Sequence, residues 1–314
     1  MPSNRYTQKH DFLKGIMEAD LSDITRKIYL ERWKVLLQQH QVDIFTIVTQ
    51  PKKYIAWIKK EYDSLATQKS YMSAVLAVFR HNEGLKKQRN KAYTMWYAAF
   101  QEVHEKIDEK YKRNEPSARQ IDGYVPFNQI VVKRDELDKG SDERLLLAFY
   151  TYIPPLRCDF NEVRIYEGAP PETTKREKNY ILLEGDKNRA TMVLQEFKTV
   201  AKMEEKYEKV LPPELVAELE KSLEKNPRQY LFQDKNQRPY RASSFNKWAN
   251  RVLKRLFGKN LTISLIRHSY INSLDFNRLT VEEKEKIAKD MTHTVGTQDR
   301  YRLIFRESDD GNKK

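Results

Sequence analysis

Four residues whose types could do phosphoryl chemistry fall close together in the stretch Leu261 to Tyr301. It reads LTISLIRHSYINSL, then a polar segment, then IAKDMTHTVGTQDRY. Arg267-His268 opens an apolar-periodic run, His293 lies on a short polar turn, and Tyr301 follows eight residues after His293. A guanidinium offers a rigid fork of donors that matches phosphate oxygens. An imidazole adds a further donor. A phenol can attack phosphorus through oxygen and hold the group as a covalent ester. The chain has 18 Tyr, so Tyr301 stands out only through its register from His293 and Arg267.

These residues need elements to position them. Ser22 is a fitting N-cap for a helix running to about His40, with Ile24, Ile28, Trp33, Leu36 and Leu37 on one stripe. Pro51 stands where a helix tolerates proline best, in the first turn of PKKYIAWIKKEY. Thr67 is placed to cap TQKSYMSAVLAVFRHN, a loop NEGLKKQRNK follows, and a long helix runs from about Ala92 to Lys112. Residues 1–20 read as a polar lead-in, so residues 1–115 form a bundle of four or five amphipathic helices. Residues 116–126 combine Pro, Ser and Gly without apolar periodicity and read as a linker. Beyond it, NQIVVKRDEL and SDERLLLAFYTYI read as two helices, the second capped by Ser141 and stopped by Pro154-Pro155. Residues 178–212 alternate with period two and read as a short antiparallel sheet. The helices ELVAELEKSLEKN, SSFNKWANRVLKRLF and VEEKEKIAKDM follow. The fold class is mainly α with a small antiparallel β-sheet, in two domains, 1–115 and 127–314.

Composition narrows the partners. The chain has 314 residues, 39% hydrophobic and 33% charged, with a net charge of +13. That is polar but globular, and the balance fits a polyanion. Residues 1–120 carry 22 Lys+Arg against 14 Asp+Glu, and the remainder carries 36 against 31. Per residue the first third is the more basic. Lys52, Lys53, Lys69, Lys86, Lys87, Arg89 and Lys91 gather around the middle of the helical bundle, and Arg251 lies on a later basic helix. As a set they are candidate phosphate contacts. One cysteine, Cys158, excludes an internal disulfide and a Cys-based zinc cluster. No apolar run approaches a membrane span, and the N-terminus is too polar for a signal peptide. The expectation is a soluble, intracellular, DNA-associated protein without membrane contact. No phosphate loop of the GxxxxGK kind, no HExxH and no carboxylate cluster is present, so no metal or nucleotide cofactor is expected.

The words LIRHSYI and THTVGTQDRY resemble the C-terminal signature of the tyrosine recombinases, or integrases. The spacing before Tyr301 and the upstream PPLR look most like the branch of large DNA viruses, virophages and Crypton-type mobile elements. The resemblance covers roughly 145–301 well and the N-terminal part loosely. It implies an N-terminal helical core-binding domain and a C-terminal catalytic domain. It implies site-specific cutting and rejoining of double-stranded DNA through a 3′-phosphotyrosine, by four protomers on two duplexes. In a eukaryotic host the place of action would be the nucleus or a viral replication site. It assigns Arg157 as the first catalytic arginine, with Asp159 or Glu162 fixing its guanidinium. It assigns Lys198, in the word FKT, as the catalytic lysine, with Lys187 as competitor. Arg267, His293 and Tyr301 complete the set. One position departs: where the family usually has His three before the second arginine, this chain has Ser264. Ser264 either meets phosphate or caps the helix, and His268 points elsewhere on that helix as a core histidine or a support. Type IB topoisomerase chemistry and an inactive DNA-binding protein of the same fold are the alternatives.

Overall fold

The computed structural model describes residues 11–172, 178–185, 189–197 and 206–305. The chain divides into two compact units, Met1–Arg113 and Asn114–Lys314.

The first unit contains seven helices among its described residues: α1 (Asp11–Glu18), α2 (Asp23–His40), α3 (Ile44–Thr49), α4 (Pro51–Glu61), α5 (Leu65–Arg80), α6 (Glu83–Gln88) and α7 (Asn90–Lys112). Ser22 caps α2 by accepting from the Thr25 N–H, and Pro51 occupies the first turn of α4. Helix α5 is the centre. Its residues 74–79 are all buried, so no face of that stretch is amphipathic and neighbours must surround it. The indoles of Trp33 and Trp96 donate to the carbonyls of Ala74 and Val48, which removes the cost of burying their N–H groups. Three expectations are corrected. The cap of α5 is Ser64, which accepts from the Thr67 N–H, so Thr67 lies inside the helix. The polar lead-in carries α1, because Ile16 finds a fully buried place in the core. The expected loop 82–91 carries α6, anchored by buried Leu85.

In the second unit the segment expected as a linker is folded structure. Ser117 and Gln120 form a reciprocal capping box that starts α8 (Ala118–Gly123). Gly123 lies so close to the Asn260 carbonyl that a Cβ would fall 2.5 Å from it, which is why a side chain is excluded there. Helices α9 (Phe127–Glu136) and α10 (Asp142–Thr151) follow, the latter capped by Ser141. Helix α10 is buried on nearly all sides and forms the heart of this unit's core. Among the described residues the sheet has four strands, β1 (Arg164–Glu167), β2 (Tyr180–Leu183), β3 (Ala190–Leu194) and β4 (Tyr207–Val210), in that order. Strands β2–β3–β4 pair antiparallel, as alternation predicts. Strand β1 joins β2 in parallel, with Arg164 opposite Tyr180. The sheet is therefore mixed, not purely antiparallel. A four-residue strand with only partial burial carries too little alternation to be read, and its parallel partner needs a long connection that hides the pairing.

Helices α11 (Pro213–Lys225), α12 (Ala242–Phe257), α13 (Ile263–Ser273), α14 (Val281–Asp290) and α15 (Val295–Asp299) complete the described part. Gly258, in the left-handed region, ends α12. Thr262 caps α13 by accepting from the Leu265 N–H, so Ser264 is not the cap.

Candidate active site

Helix α13 supplies Arg267, which is 1% exposed. Its Nη1 donates to the Pro155 carbonyl at 2.6 Å and its Nη2 to the Met291 carbonyl at 3.2 Å. Nη2 also lies 3.3 Å from Nδ1 of His293. The guanidinium is thus tied to the segment just before Arg157 and to the turn after α14. Its Nε has no partner among the described residues.

The turn that carries His293 has a definite origin. Helix α14 ends with the His293 N–H donating to Ala288 and the Thr292 N–H donating to Lys289, the paired bonds of a Schellman cap. The left-handed position is Thr292, at φ 55°. A β-branched residue is strained there, and the strain is held by the fold around it. The turn brings His293 inward, where it is buried. Burial first, then the charges of Arg267 and Arg157, push its pKa down to about 3. The imidazole is neutral at ordinary pH. Nδ1 faces a guanidinium donor, so it accepts, and the proton belongs on Nε2. That Nε2 is buried and has no partner among the described residues.

Tyr301 meets all three neighbours. Its ring stacks on His293 at 5.3 Å and 22°, lies 4.8 Å from Cζ of Arg267, and packs tilted on His268 at 4.8 Å. Burial alone raises a phenol's pKa, yet the charges of Arg267 and Arg157 outweigh it, and the net shift is downward. The other perturbed tyrosines behave differently: Tyr62, Tyr124, Tyr150, Tyr152, Tyr207, Tyr240 and Tyr270 are all shifted upward, with burial the first cause.

Arg157 is half-buried, on the turn after Pro154-Pro155. The Tyr150 hydroxyl donates to its carbonyl at 2.6 Å, and its own N–H donates to Asp159 at 3.2 Å. Asp159 is buried and shapes the backbone that presents Arg157, while Glu162 is exposed at φ 55°. Cys158 is no competing nucleophile. Burial and the Asp159 charge push its thiol up to about 11.

The remaining candidates are placed as follows. Lys198 and Lys187 lie outside the described residues. Ser264 is exposed in the first turn of α13. His268 is buried, but it is bonded into the site: its Nδ1 lies 2.6 Å from the Tyr301 carbonyl. In the first unit Lys52, Lys53, Lys86, Lys87, Arg89 and Lys91 are exposed. Lys69 is half-buried, 3.2 Å from Nδ1 of His104. Arg251 is exposed on α12. Sequence reasoning missed Gln120 and Asn272, which contact His268 and the backbone beyond Tyr301. The available signal was spacing: His268 and Asn272 are four residues apart and share a helix face. No group of His, Cys, Asp or Glu among the described residues could hold a metal ion, and no described helix is long and apolar enough to cross a membrane.

No family model matches the chain, and no curated protein matches it. Several solved structures are similar in outline, two of them as follows. One is the XerA recombinase, 13% identical, covering 96% of this chain and 94% of that chain with a TM-score of 0.40. The other is the XerH site-specific recombinase bound to its difH substrate in a pre-cleavage complex, 11% identical, covering 96% and 92% with a TM-score of 0.44.

Proposed function

We propose that this chain cuts and rejoins double-stranded DNA as a tyrosine recombinase, with Tyr301 as nucleophile. The observation that carries the reading is the phenol of Tyr301. It packs against a buried arginine and a neutral histidine, and its pKa is shifted down where other perturbed phenols are shifted up.

The chemistry follows from those states. Arg267 and Arg157 bind the non-bridging oxygens of the scissile phosphate and offset the charge that builds in the pentacoordinate transition state. The Nε2–H of His293 and the Nε–H of Arg267, both buried without partners among the described residues, supply further donors. The half-buried Tyr301 phenol, its pKa lowered, releases its proton to solvent water, and its oxygen attacks phosphorus. The new bond is a 3′-phosphotyrosine, and the bond to the 5′ oxygen breaks. That oxygen must receive a proton. His293, with a pKa of about 3, carries none to spare at neutral pH. The sequence resemblance assigns that proton to Lys198, which lies outside the described residues. Rejoining runs the steps in reverse, and the stored ester makes ATP unnecessary.

The exposed basic residues of the first unit, with Lys69 and Arg251, are assigned to DNA phosphates. Four protomers assemble on two duplexes, and the element is a virus or mobile element; both rest on the sequence resemblance. Ser264 favours a second reading, a DNA-binding protein of this kind without activity.

The test mixes the protein with duplex and nicked DNA carrying its own element's ends, quenches with detergent and looks for protein covalently attached to DNA. The expected result is an adduct that Tyr301→Phe abolishes. An adduct that persists in the variant moves the nucleophile elsewhere, and intact binding without any adduct supports the inactive reading.

A further inference from the structure

We propose that His268 and Asn272 are positioning residues that clamp the chain on the C-terminal side of Tyr301, so that the helix holding Arg267 also sets where the nucleophile lies. This rests on reading Tyr301 as the nucleophile. Four bonds carry it. Nδ1 of His268 lies 2.6 Å from the Tyr301 carbonyl. Nδ2 of Asn272 donates to the Leu303 carbonyl at 2.8 Å, and its Oδ1 accepts from the Leu303 N–H at 2.8 Å. The fourth is Gln120 Nε2, 3.4 Å from Nε2 of His268.

The directions of these bonds are fixed by chemistry. A carbonyl only accepts, so His268 must carry its proton on Nδ1. Its Nε2 is then an acceptor, and the Gln120 amide faces it as a donor. Burial keeps the ring neutral by lowering its pKa, which leaves this single tautomer favoured. Asn272 acts as a neighbouring strand would, meeting both polar groups of one residue with one side-chain amide. The segment 302–305 has no regular structure of its own, so these side chains replace the ladder it lacks. Leu303 is buried, and the Ile304 N–H adds an outer tie to the Asn114 carbonyl at 2.9 Å.

The placement matters because His268 follows Arg267 directly and Asn272 lies one turn on. The anion-binding guanidinium and the backbone of the nucleophile are thus held by one stretch of α13. Misplacing a nucleophile by about 1 Å costs on the order of a hundredfold in rate. A simple role in anchoring the tail would instead change stability and leave the rate per folded molecule alone.

The experiment compares Asn272→Ala, His268→Ala and His268→Asn with the wild type. Asn at 268 retains an amide N–H near the place of the Nδ1 donor and is the rescue variant. Two readouts are taken: the rate of adduct formation at saturating DNA alongside DNA affinity, and hydrogen exchange at the Leu303 amide in the free protein. Expected are unchanged affinity, adduct rates down by about tenfold to a hundredfold in the two Ala variants, near wild-type rate in His268→Asn, and faster exchange at Leu303 in Asn272→Ala. Wild-type adduct rates in both Ala variants overturn the proposal. So does a Leu303 amide that exchanges equally fast with and without Asn272. Absence of any adduct from the wild type is the failure of the strand-cleavage reading instead, and the exchange measurement still decides whether the clamp holds.

Discussion

Two buried arginines in the second unit have opposite surroundings. Arg144, 7% exposed, meets Glu218 through Nε and Nη2 at 2.6 to 2.9 Å. Its Nη1 adds three backbone carbonyls, those of Arg134, Asp135 and Leu137. Its pKa is raised, chiefly by the hydrogen bond to Glu218. Arg267, 1% exposed, bonds two carbonyls and faces the neutral imidazole of His293 and the phenol of Tyr301, with the charge of Asp159 acting on it as well. Its pKa is lowered, with burial the first cause. Taking a guanidinium out of water is costly unless an anion compensates it. Arg144 has its anion built in. Arg267 is held mainly by carbonyls, an imidazole and a phenol, and burial outweighs the compensation that Asp159 and Tyr301 give it. A fully matched buried arginine needs no further anion, and the proposed function assigns the scissile phosphate to Arg267, the less matched of the two.

The largest effect should come from breaking the under-matched side. Arg267→Met keeps the buried volume and removes the charge. The adduct rate should fall on the order of a thousandfold or more, because several transition-state donors are lost at once. Stability in urea should change little or rise, since a charge that burial disfavours has gone. A rate within tenfold of wild type would erase the distinction between the two arginines.

The matched side should respond in the other direction. Arg144→Met leaves the Glu218 carboxylate buried and unpaired, which should cost about 3–5 kcal/mol of stability. The double variant Arg144→Met/Glu218→Leu should recover most of it, because the carboxylate is no longer stranded. Adduct formation per folded molecule should stay at the wild-type level in both. A large stability loss that persists in the double variant would mean that the three carbonyl contacts, not the ion pair, hold α10 in place.

The contrast also marks what a reader of the sequence can and cannot see. Ser22, Pro51 and Ser141 announce their helices because caps and first-turn prolines act locally. Arg267, His293 and Tyr301 are legible because they share one short stretch with distinctive spacing, and in the structure they touch. Arg144 and Glu218 are 74 residues apart, and nothing local in either helix announces the pair. Residues 116–126 read as a linker because a six-residue helix has no periodicity to show, and its capping box and the close approach at Gly123 depend on tertiary packing. Strand β1 is hidden for a similar reason, being short and paired in parallel across a long connection. For His268 the sequence leaves a core histidine and a support of the site both open, because its partner is a backbone carbonyl 33 residues away.

The smallest effect expected is a pH dependence that ties His293 to the less matched arginine. Its folded pKa is pushed down to about 3 by burial and then by Arg267 and Arg157. An unfolded histidine titrates near 6.5. Between those values the unfolded chain binds a proton that the folded chain refuses, so stability falls as pH drops from about 6.5 toward 3. At pH 5 the loss from this one group is about 2 kcal/mol relative to pH 7.5. His268, also lowered by burial, adds a slope of the same sign, so the wild type must be compared with a variant rather than read alone. Urea unfolding of wild type and His293→Gln at pH 7.5 and pH 5 isolates the contribution: the wild type should lose more stability than the variant. Arg267→Met should shrink the wild-type loss part of the way, because it removes the second cause of the shift and leaves burial. Equal acid losses in wild type and His293→Gln would mean that the imidazole is protonated in the folded protein, and that Arg267 then faces a cation, not the neutral acceptor that its 3.3 Å contact with Nδ1 requires.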